Sequence, residues 1–321
     1  MSENLVKIKD LNVVYSAQRT SNGKKNEIQA VNNLSLEINK GEILSIAGES
    51  GCGKSTLAKA LMKLVPVKSG EVFFEAQNIS EINKNNFYKN IQMVFQNPYS
   101  SLNPKMKIGE ILAEPLEINT CLTKAQIKDI VHEKLENVGL DKDCLKLYPH
   151  EFSGGQRQRI AIARALVLNP KFIIADEPVS ALDVSIQAQI INLILELKKE
   201  FNLTFLFISH DISVIRYISD RIAIMYLGEI VEQGLAQEIF DSPKHPYTQI
   251  LLNSAPTLNR QQTQKPIIKG ELPSADNLPD GCKFHTRCPY AKDICKKLPP
   301  EVVNISSTHS VKCVLCSQVE V

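Results

Sequence analysis

Three short apolar runs punctuate the chain: Glu42-Ile-Leu-Ser-Ile-Ala47, which ends at Gly48; Lys171-Phe-Ile-Ile-Ala175, which ends at two carboxylates; and Leu203-Thr-Phe-Leu-Phe-Ile-Ser209, which runs into His210. Apolar runs of this length bounded by turn residues predict strands buried on both faces. Between the last two, Ile186, Ile190, Leu193, Ile194, Leu197 and Phe201 step by three and four, the spacing of one helix face. Strand–helix–strand alternation predicts an α/β domain with a largely parallel sheet. The segment from about 97 to 165 carries no strand pattern, shows helical spacing as over 124–138, and reads as a helical insertion. Pro256, Pro266, Pro273, Pro279, Gly270 and Gly281 crowd into 254–281 and predict an extended connector. The main domain is therefore placed at 1–253 and a C-terminal extension at 254–321.

Three segments of this framework carry chemistry. The first, Gly48-Glu-Ser-Gly-Cys-Gly-Lys54-Ser55, matches a phosphate-binding loop in full, with a strand before it and a helix expected through Leu57, Ala58, Leu61 and Leu64. Glycines let such a loop turn its backbone N–H groups inward on phosphates, and the helix start adds a favourable dipole. Gly48, Glu49, Ser50, Gly51, Cys52, Gly53, Lys54, Ser55 and Thr56 are the candidate nucleotide-binding residues. Lys54 would reach the β- and γ-phosphates, and Ser55 would ligate Mg²⁺. The second, Phe172-Ile-Ile-Ala-Asp176-Glu177-Pro178, puts two carboxylates at a strand's C-terminal end, where open α/β sheets bind ligands. Asp176 suits the Mg²⁺ side, and Glu177 suits polarisation of an attacking water. The third, Phe152-Ser153-Gly154-Gly155-Gln156-Arg157, leads into a helix expected over 160–168 and by itself is a plain N-cap.

Composition narrows the class. Lys and Arg number 37 against 35 Asp and Glu, which argues against a strongly electrostatic nucleic-acid binder. No stretch of 18 apolar residues offers a membrane span, and Met1–Asp10 has no signal-peptide pattern. These features predict a cytosolic protein whose eight cysteines are not structural disulfides.

Together these segments resemble the ATP-binding-cassette ATPases. The phosphate loop, Ser153-Gly-Gly-Gln156, Asp176-Glu177, Ser180-Ala-Leu-Asp183 and His210 occur in that family's order over residues 5 to about 240. The resemblance implies a P-loop cassette with a mostly parallel sheet, an antiparallel N-terminal β part and a helical insertion. It implies a nucleotide sandwich in which two cassettes pair head-to-tail and Ser153, Gly154, Gly155 and Gln156 face the partner's ATP. Gln96 matches the loop glutamine that senses Mg²⁺ and the attacking water. His210 matches the switch histidine on the γ-phosphate. Glu177, His210 and Gln96 are thus the expected catalytic set, and Ser55, Gln96 and Asp176 the Mg²⁺ set. Tyr15 stands where the family stacks an aromatic on adenine; a strand-edge tyrosine is the alternative.

Gln96-Asn-Pro-Tyr-Ser-Ser-Leu-Asn-Pro104, Ala113-Glu-Pro-Leu116, His245-Pro-Tyr-Thr248 and Gly270-Glu-Leu-Pro-Ser274 resemble the second ATP-binding subunit of oligopeptide/dipeptide importers. That implies two membrane permease subunits, a paralogous ATPase or a second copy, and an extracytoplasmic substrate-binding protein, with this chain peripheral on the cytoplasmic face of the membrane. Nickel importers share much of the pattern. A soluble cassette acting on ribosomes or DNA is disfavoured by the single phosphate loop and the near-neutral charge.

The tail adds one more expectation. Cys282, Cys288, Cys295, Cys313 and Cys316 fall in the last 40 residues, a segment too small to fold readily without a staple. The first three are spaced too widely for paired zinc knuckles. Peptide-importer ATPases carry a similar motif, associated with a [4Fe–4S] cluster in some members. The resemblance thus favours a cluster on Cys282, Cys288, Cys295 and Cys313, with Cys316 as a substitute fourth ligand, and zinc or free thiols as alternatives.

Overall fold

A computed structural model describes residues 3–16, 27–253, 273 and 278–316. Most of the expected connector, including four of the five residues of Gly270-Glu-Leu-Pro-Ser274, lies outside the described residues. The chain divides into two compact units.

The first unit comprises Met1–Leu5, Ile38–Ile43 and Phe73–Ile208. Its strands Ile91–Val94, Phe172–Asp176 and Thr204–Ile208 lie side by side in parallel, with Ile174 opposite Met93 on one side and Leu206 on the other. Every residue of the last two strands is buried, as their unbroken apolar character requires. The helix Val184–Phe201 buries Ile190, Leu193, Ile194 and Leu197 and stops where Asn202 turns left-handed at φ 50°. Between Pro98 and Leu166 every regular element is helical, as expected of the insertion. Gly154–Leu166 is its hub and packs against Pro98–Ser101, Ile108–Asn119, Lys124–Asn137 and Val184–Phe201.

The second unit comprises Val6–Glu37, Leu44–Val72 and Ser209–Val321. In the strand Ile43–Ala47, Leu44 to Ala47 pair in parallel with Arg221 to Ile224. The strand Arg221–Tyr226 then turns back antiparallel into Glu229–Leu235. The C-terminal segment continues this sheet: Ser310–Lys312 pairs with Glu229–Leu235, and Val302–Asn304 pairs with Ser310–Lys312. The helix after the phosphate loop runs only from Lys54 to Leu61. Lys63 takes φ 57°, so Leu64, expected on the helix's buried face, lies beyond its end and is 51% exposed. One apolar cluster joins Ile212, Ile215, Tyr226, Ile239, Tyr247 and Phe284, so the Cys-bearing segment contributes Phe284 to this unit's core. No helix among the described residues is long and apolar enough to cross a membrane.

Candidate functional site

The second unit holds the phosphate loop, Tyr15 and His210. The loop leaves the buried strand Ile43–Ala47 and closes at Gly53, whose φ of 109° suits glycine; a Cβ there would meet the Ala30 carbonyl oxygen at 2.2 Å. The same close approach holds at Gly48, where a Cβ would meet the Met225 carbonyl oxygen at 2.2 Å. Backbone therefore presses on the loop from Ala30 and Met225 and fixes its path. Lys54 is buried at the first helical position, and its Nζ donates to the carbonyls of Gly48 at 2.8 Å and Glu49 at 2.9 Å. An ammonium held across a glycine loop by two carbonyls has partners that phosphate oxygens can replace, so this loop fits a nucleotide triphosphate. Cys52 Sγ lies 3.7 Å from the same Nζ, and burial pushes its thiol pKa up. The Tyr15 hydroxyl lies 3.5 Å from Thr56 Oγ1, on the helix that the loop opens. His210 is exposed, between the buried Ser209 and Asp211, whose carboxylate caps the helix Ile212–Ile218 by accepting from Ser213 N at 2.8 Å.

The first unit holds the carboxylates, Gln96 and the Ser-Gly-Gly segment. Asp176 is buried as the last residue of its strand. Glu177 follows in a left-handed conformation, φ 47°, and its N–H donates to the Ile208 carbonyl at 2.9 Å. A glutamate held at positive φ is a strained position of the kind that clusters at functional sites. Gln96 Nε2 donates to Glu177 Oε2 at 2.7 Å, so two residues chosen separately from the sequence are in direct contact. Ser153 and Gln156 form a reciprocal capping box at the start of Gly154–Leu166: the Ser153 Oγ accepts from Gln156 N, and Gln156 Oε1 accepts from Ser153 N at 3.0 Å. A Cβ on Gly155 would meet Ile186 Cγ2 at 2.6 Å, so this glycine is required for helix packing as well as for any open N–H surface. The Arg157 guanidinium stacks over the Tyr99 ring at 4.1 Å and links the Gln96-bearing loop to the Ser-Gly-Gly helix.

The C-terminal cysteines share one neighbourhood. Cys282 N donates to the Cys295 carbonyl at 2.8 Å. Burial, with Cys313, Cys295 and Cys288 nearby, pushes the Cys282 thiol up to about 11. Burial, with Cys313 and Cys295, also raises Cys288. The Cys316 thiol donates to Cys313, bringing Cys313 down to about 7 and raising Cys316. Among the described residues, however, no three His, Cys, Asp or Glu side chains are grouped so as to hold a metal ion. The donor type suits a thiolate-bound centre; the grouping is not that of a finished ion site.

Sequence reasoning missed what surrounds Glu49. Its N–H donates to the Tyr247 hydroxyl at 2.9 Å, and its carboxylate pairs with Arg287 at 3.0 Å. The signals were present in His245-Pro-Tyr-Thr248 and in the tail, but nothing in spacing links residues 238 positions apart.

Comparison with known proteins matches residues 31–180 to the family model described as ABC transporter, and residues 231–295 to that described as oligopeptide/dipeptide transporter, C-terminal region. The oligopeptide transport ATP-binding protein AppF of Bacillus subtilis (strain 168) is 51% identical over 301 residues, covering 92% of this chain and 92% of that protein. The dipeptide transport ATP-binding protein DppF of Escherichia coli (strain K12) is 44% identical, covering 94% and 92%. Among solved structures, cbiO1 from Clostridium perfringens, part of the transporter complex cbiONQ, aligns with TM-score 0.64 at 28% identity over 75% of this chain and 92% of that one. The dimeric ATP-binding cassette MJ0796 bound to ADP and Pi aligns with TM-score 0.63 at 31% identity, over 72% and 98%.

Proposed function

The chain belongs to the ATP-binding subunits of ABC transporters, in their oligopeptide/dipeptide branch, and we propose that it binds and hydrolyses ATP to drive peptide import through separate membrane subunits. The observation that carries the reading is the phosphate loop, in which Lys54 is buried and held across the loop by the Gly48 and Glu49 carbonyls, partners that an anion can replace. The peptide cargo rests on the C-terminal region match and on the printed roles of the relatives.

In this reading residues 1–253 are the nucleotide-binding domain and 254–321 the importer-specific extension. The N–H groups of Gly51 to Thr56 and the Lys54 ammonium bind the phosphates, and Tyr15 takes the adenine side. Ser55, Gln96 and Asp176 are the residues that would hold Mg²⁺, which would supply charge neutralisation on the phosphates. Glu177 accepts the proton of the attacking water, with Gln96 orienting its carboxylate. His210 contacts the γ-phosphate. Ser153, Gly154, Gly155 and Gln156 serve the ATP of a second cassette, a paralogue or a second copy. Two permeases and an extracytoplasmic binding protein complete the transporter, which places the chain on the inner face of the membrane.

The tail thiols Cys282, Cys288, Cys295 and Cys313 are the residues we assign to a structural centre, an iron–sulfur cluster ahead of zinc. The support is the chemistry of the donor set, four thiols within one short segment, which the described residues do not gather around an ion. Such a centre would staple the segment and supply no step of ATP hydrolysis. Anaerobically purified protein should contain iron and absorb near 400 nm; colourless protein with stoichiometric zinc would overturn the cluster in favour of the ion. The function as a whole is tested by co-purification: the chain should extract with two permeases, and membrane assembly should raise its ATPase rate. A chain that assembles with ribosomes or DNA instead would refute it.

A further inference from the structure

The tail and the segment before the connector meet at Glu49, the second residue of the phosphate loop. Arg287 donates from Nη1 to both Glu49 carboxylate oxygens, at 3.2 and 3.0 Å, and to the Tyr226 hydroxyl at 3.4 Å. Its side chain is 7% exposed and that of Glu49 24%, so the pair is largely removed from water. Tyr226 lies with its ring centroid 4.7 Å from Tyr247, and Phe284 packs edge-on to Tyr226 at 5.3 Å. Tyr247 in turn accepts the Glu49 N–H at 2.9 Å. Both the backbone and the side chain of Glu49 are therefore held from outside the loop. The Glu49 N–H is committed to a phenol rather than to phosphate. The Glu49 carbonyl is also one of the two that hold Lys54. Any swing of Glu49 moves the lysine's support with it.

We infer that Arg287, working with Tyr247, is a positioning residue for the phosphate loop: the Cys-bearing segment holds Glu49 in place and thereby sets nucleotide affinity. The inference rests on reading the loop as the ATP site. The guanidinium shares one nitrogen, Nη1, among both carboxylate oxygens and the Tyr226 hydroxyl, while its carbon lies 5.9 Å from the Tyr226 ring centroid, so a permanent charge and an aromatic contact act together at one point. The contact is charge-assisted, largely removed from water and made to the loop rather than to a reacting atom, so its loss acts on ground-state binding more than on the chemical step.

The test titrates full-length protein with Mg-ATP, following bound nucleotide, and measures steady-state hydrolysis on the same samples. Arg287→Ala and Glu49→Ala should each weaken ATP affinity roughly tenfold, and Arg287→Ala, outside the loop, should leave kcat within about twofold, as loss of one charge-assisted contact does. The double variant should be no weaker than either single, because both remove the same contact. Arg287→Lys should recover part of the affinity. Glu49→Ala leaves the Phe284 core untouched, so it stands even where Arg287→Ala loosens the tail. Unchanged affinity in Glu49→Ala, or additive losses in the double variant, would overturn the inference. Lys54→Ala separates the two readings: if it too binds ATP normally, the ATP site itself is misplaced; if it alone loses ATP, only the role of Arg287 fails.

Discussion

The contact between Gln96 and Glu177 makes a quantitative prediction. Gln96→Ala deletes one donor to Glu177 Oε2 at 2.7 Å and leaves the carboxylate, its strand and its backbone bond to Ile208 in place. A hydrogen bond to a charged group contributes about 1.5–3 kcal/mol. Gln96 is exposed, so water competes for the carboxylate and the lower end applies, about 1.5 kcal/mol. Expressed wholly in the barrier, that is roughly a tenfold loss of kcat. Because the amide orients the base, the loss should fall mainly on kcat, with a smaller rise in KM for Mg-ATP from the Mg²⁺ contact also assigned to Gln96. Phosphate release at saturating ATP measures the first quantity, and its ATP dependence the second. The decisive comparison repeats the change in Glu177→Gln, where single-turnover hydrolysis gives the residual rate. With the base gone its orienter has nothing to orient, so Gln96→Ala should add little. A full tenfold loss in that background would refute the positioning role and leave Gln96 acting only through its contact to Mg²⁺.

Two further consequences are as definite. His245 is fully buried with its Nδ1 accepting Tyr247 N–H at 3.0 Å, and burial brings its pKa from the ordinary 6.5 down to about 3; below pH 6.5 the unfolded chain binds a proton that the folded one refuses, so stability falls by about 1.4 kcal/mol per pH unit as pH drops through this window. Urea midpoints for the protein and for His245→Gln should diverge below pH 6, with the variant less acid-sensitive; identical slopes would contradict the buried neutral imidazole. Gly53→Ala forces a Cβ to within 2.2 Å of the Ala30 carbonyl oxygen at φ 109°; the backbone conformation alone costs about 1–2 kcal/mol, and nucleotide binding should be lost while the first unit keeps its far-ultraviolet signature, whereas normal ATP affinity would show that the loop's path is not fixed as described.

How much of this was legible in the sequence depends on the range over which each residue acts. Strands such as Phe172–Asp176 were readable because burial on both faces demands an unbroken apolar run, and the carboxylates Asp176 and Glu177 announce the strand's end. The N-cap at Ser153 was readable because a cap is a local signal, but the helix expected over 160–168 starts at once, at Gly154, and ends at Leu166, since Gly154 and Gly155 read as breakers and only packing makes them helical. The short strands Val302–Asn304 and Ser310–Lys312 were not, since three residues carry no period and their pairing with Glu229–Leu235 is decided by the partner. The helix after the phosphate loop was drawn too long because Leu64 kept the apolar spacing, while Lys63 turns the chain out of it. Contacts of the Arg287–Glu49 and Tyr99–Arg157 kind were invisible for the same reason: the side chains are ordinary, and only the fold makes them neighbours. The left-handed backbone of Glu177 has no sequence signal at all, because nothing about a glutamate proclaims a positive φ.

The central claim, that ATP hydrolysis by this chain drives peptide uptake, is tested most directly in proteoliposomes holding the transporter assembled with either the native chain or Glu177→Gln. Glu177→Gln removes the proposed base and leaves Lys54 with its loop intact, so ATP binding should persist while hydrolysis falls by roughly 10² or more. Peptide uptake, followed with a labelled oligopeptide, a binding protein outside and ATP on the side of this subunit, should fall in the same proportion. Uptake that continues at the native rate in Glu177→Gln, with hydrolysis abolished, would contradict the account.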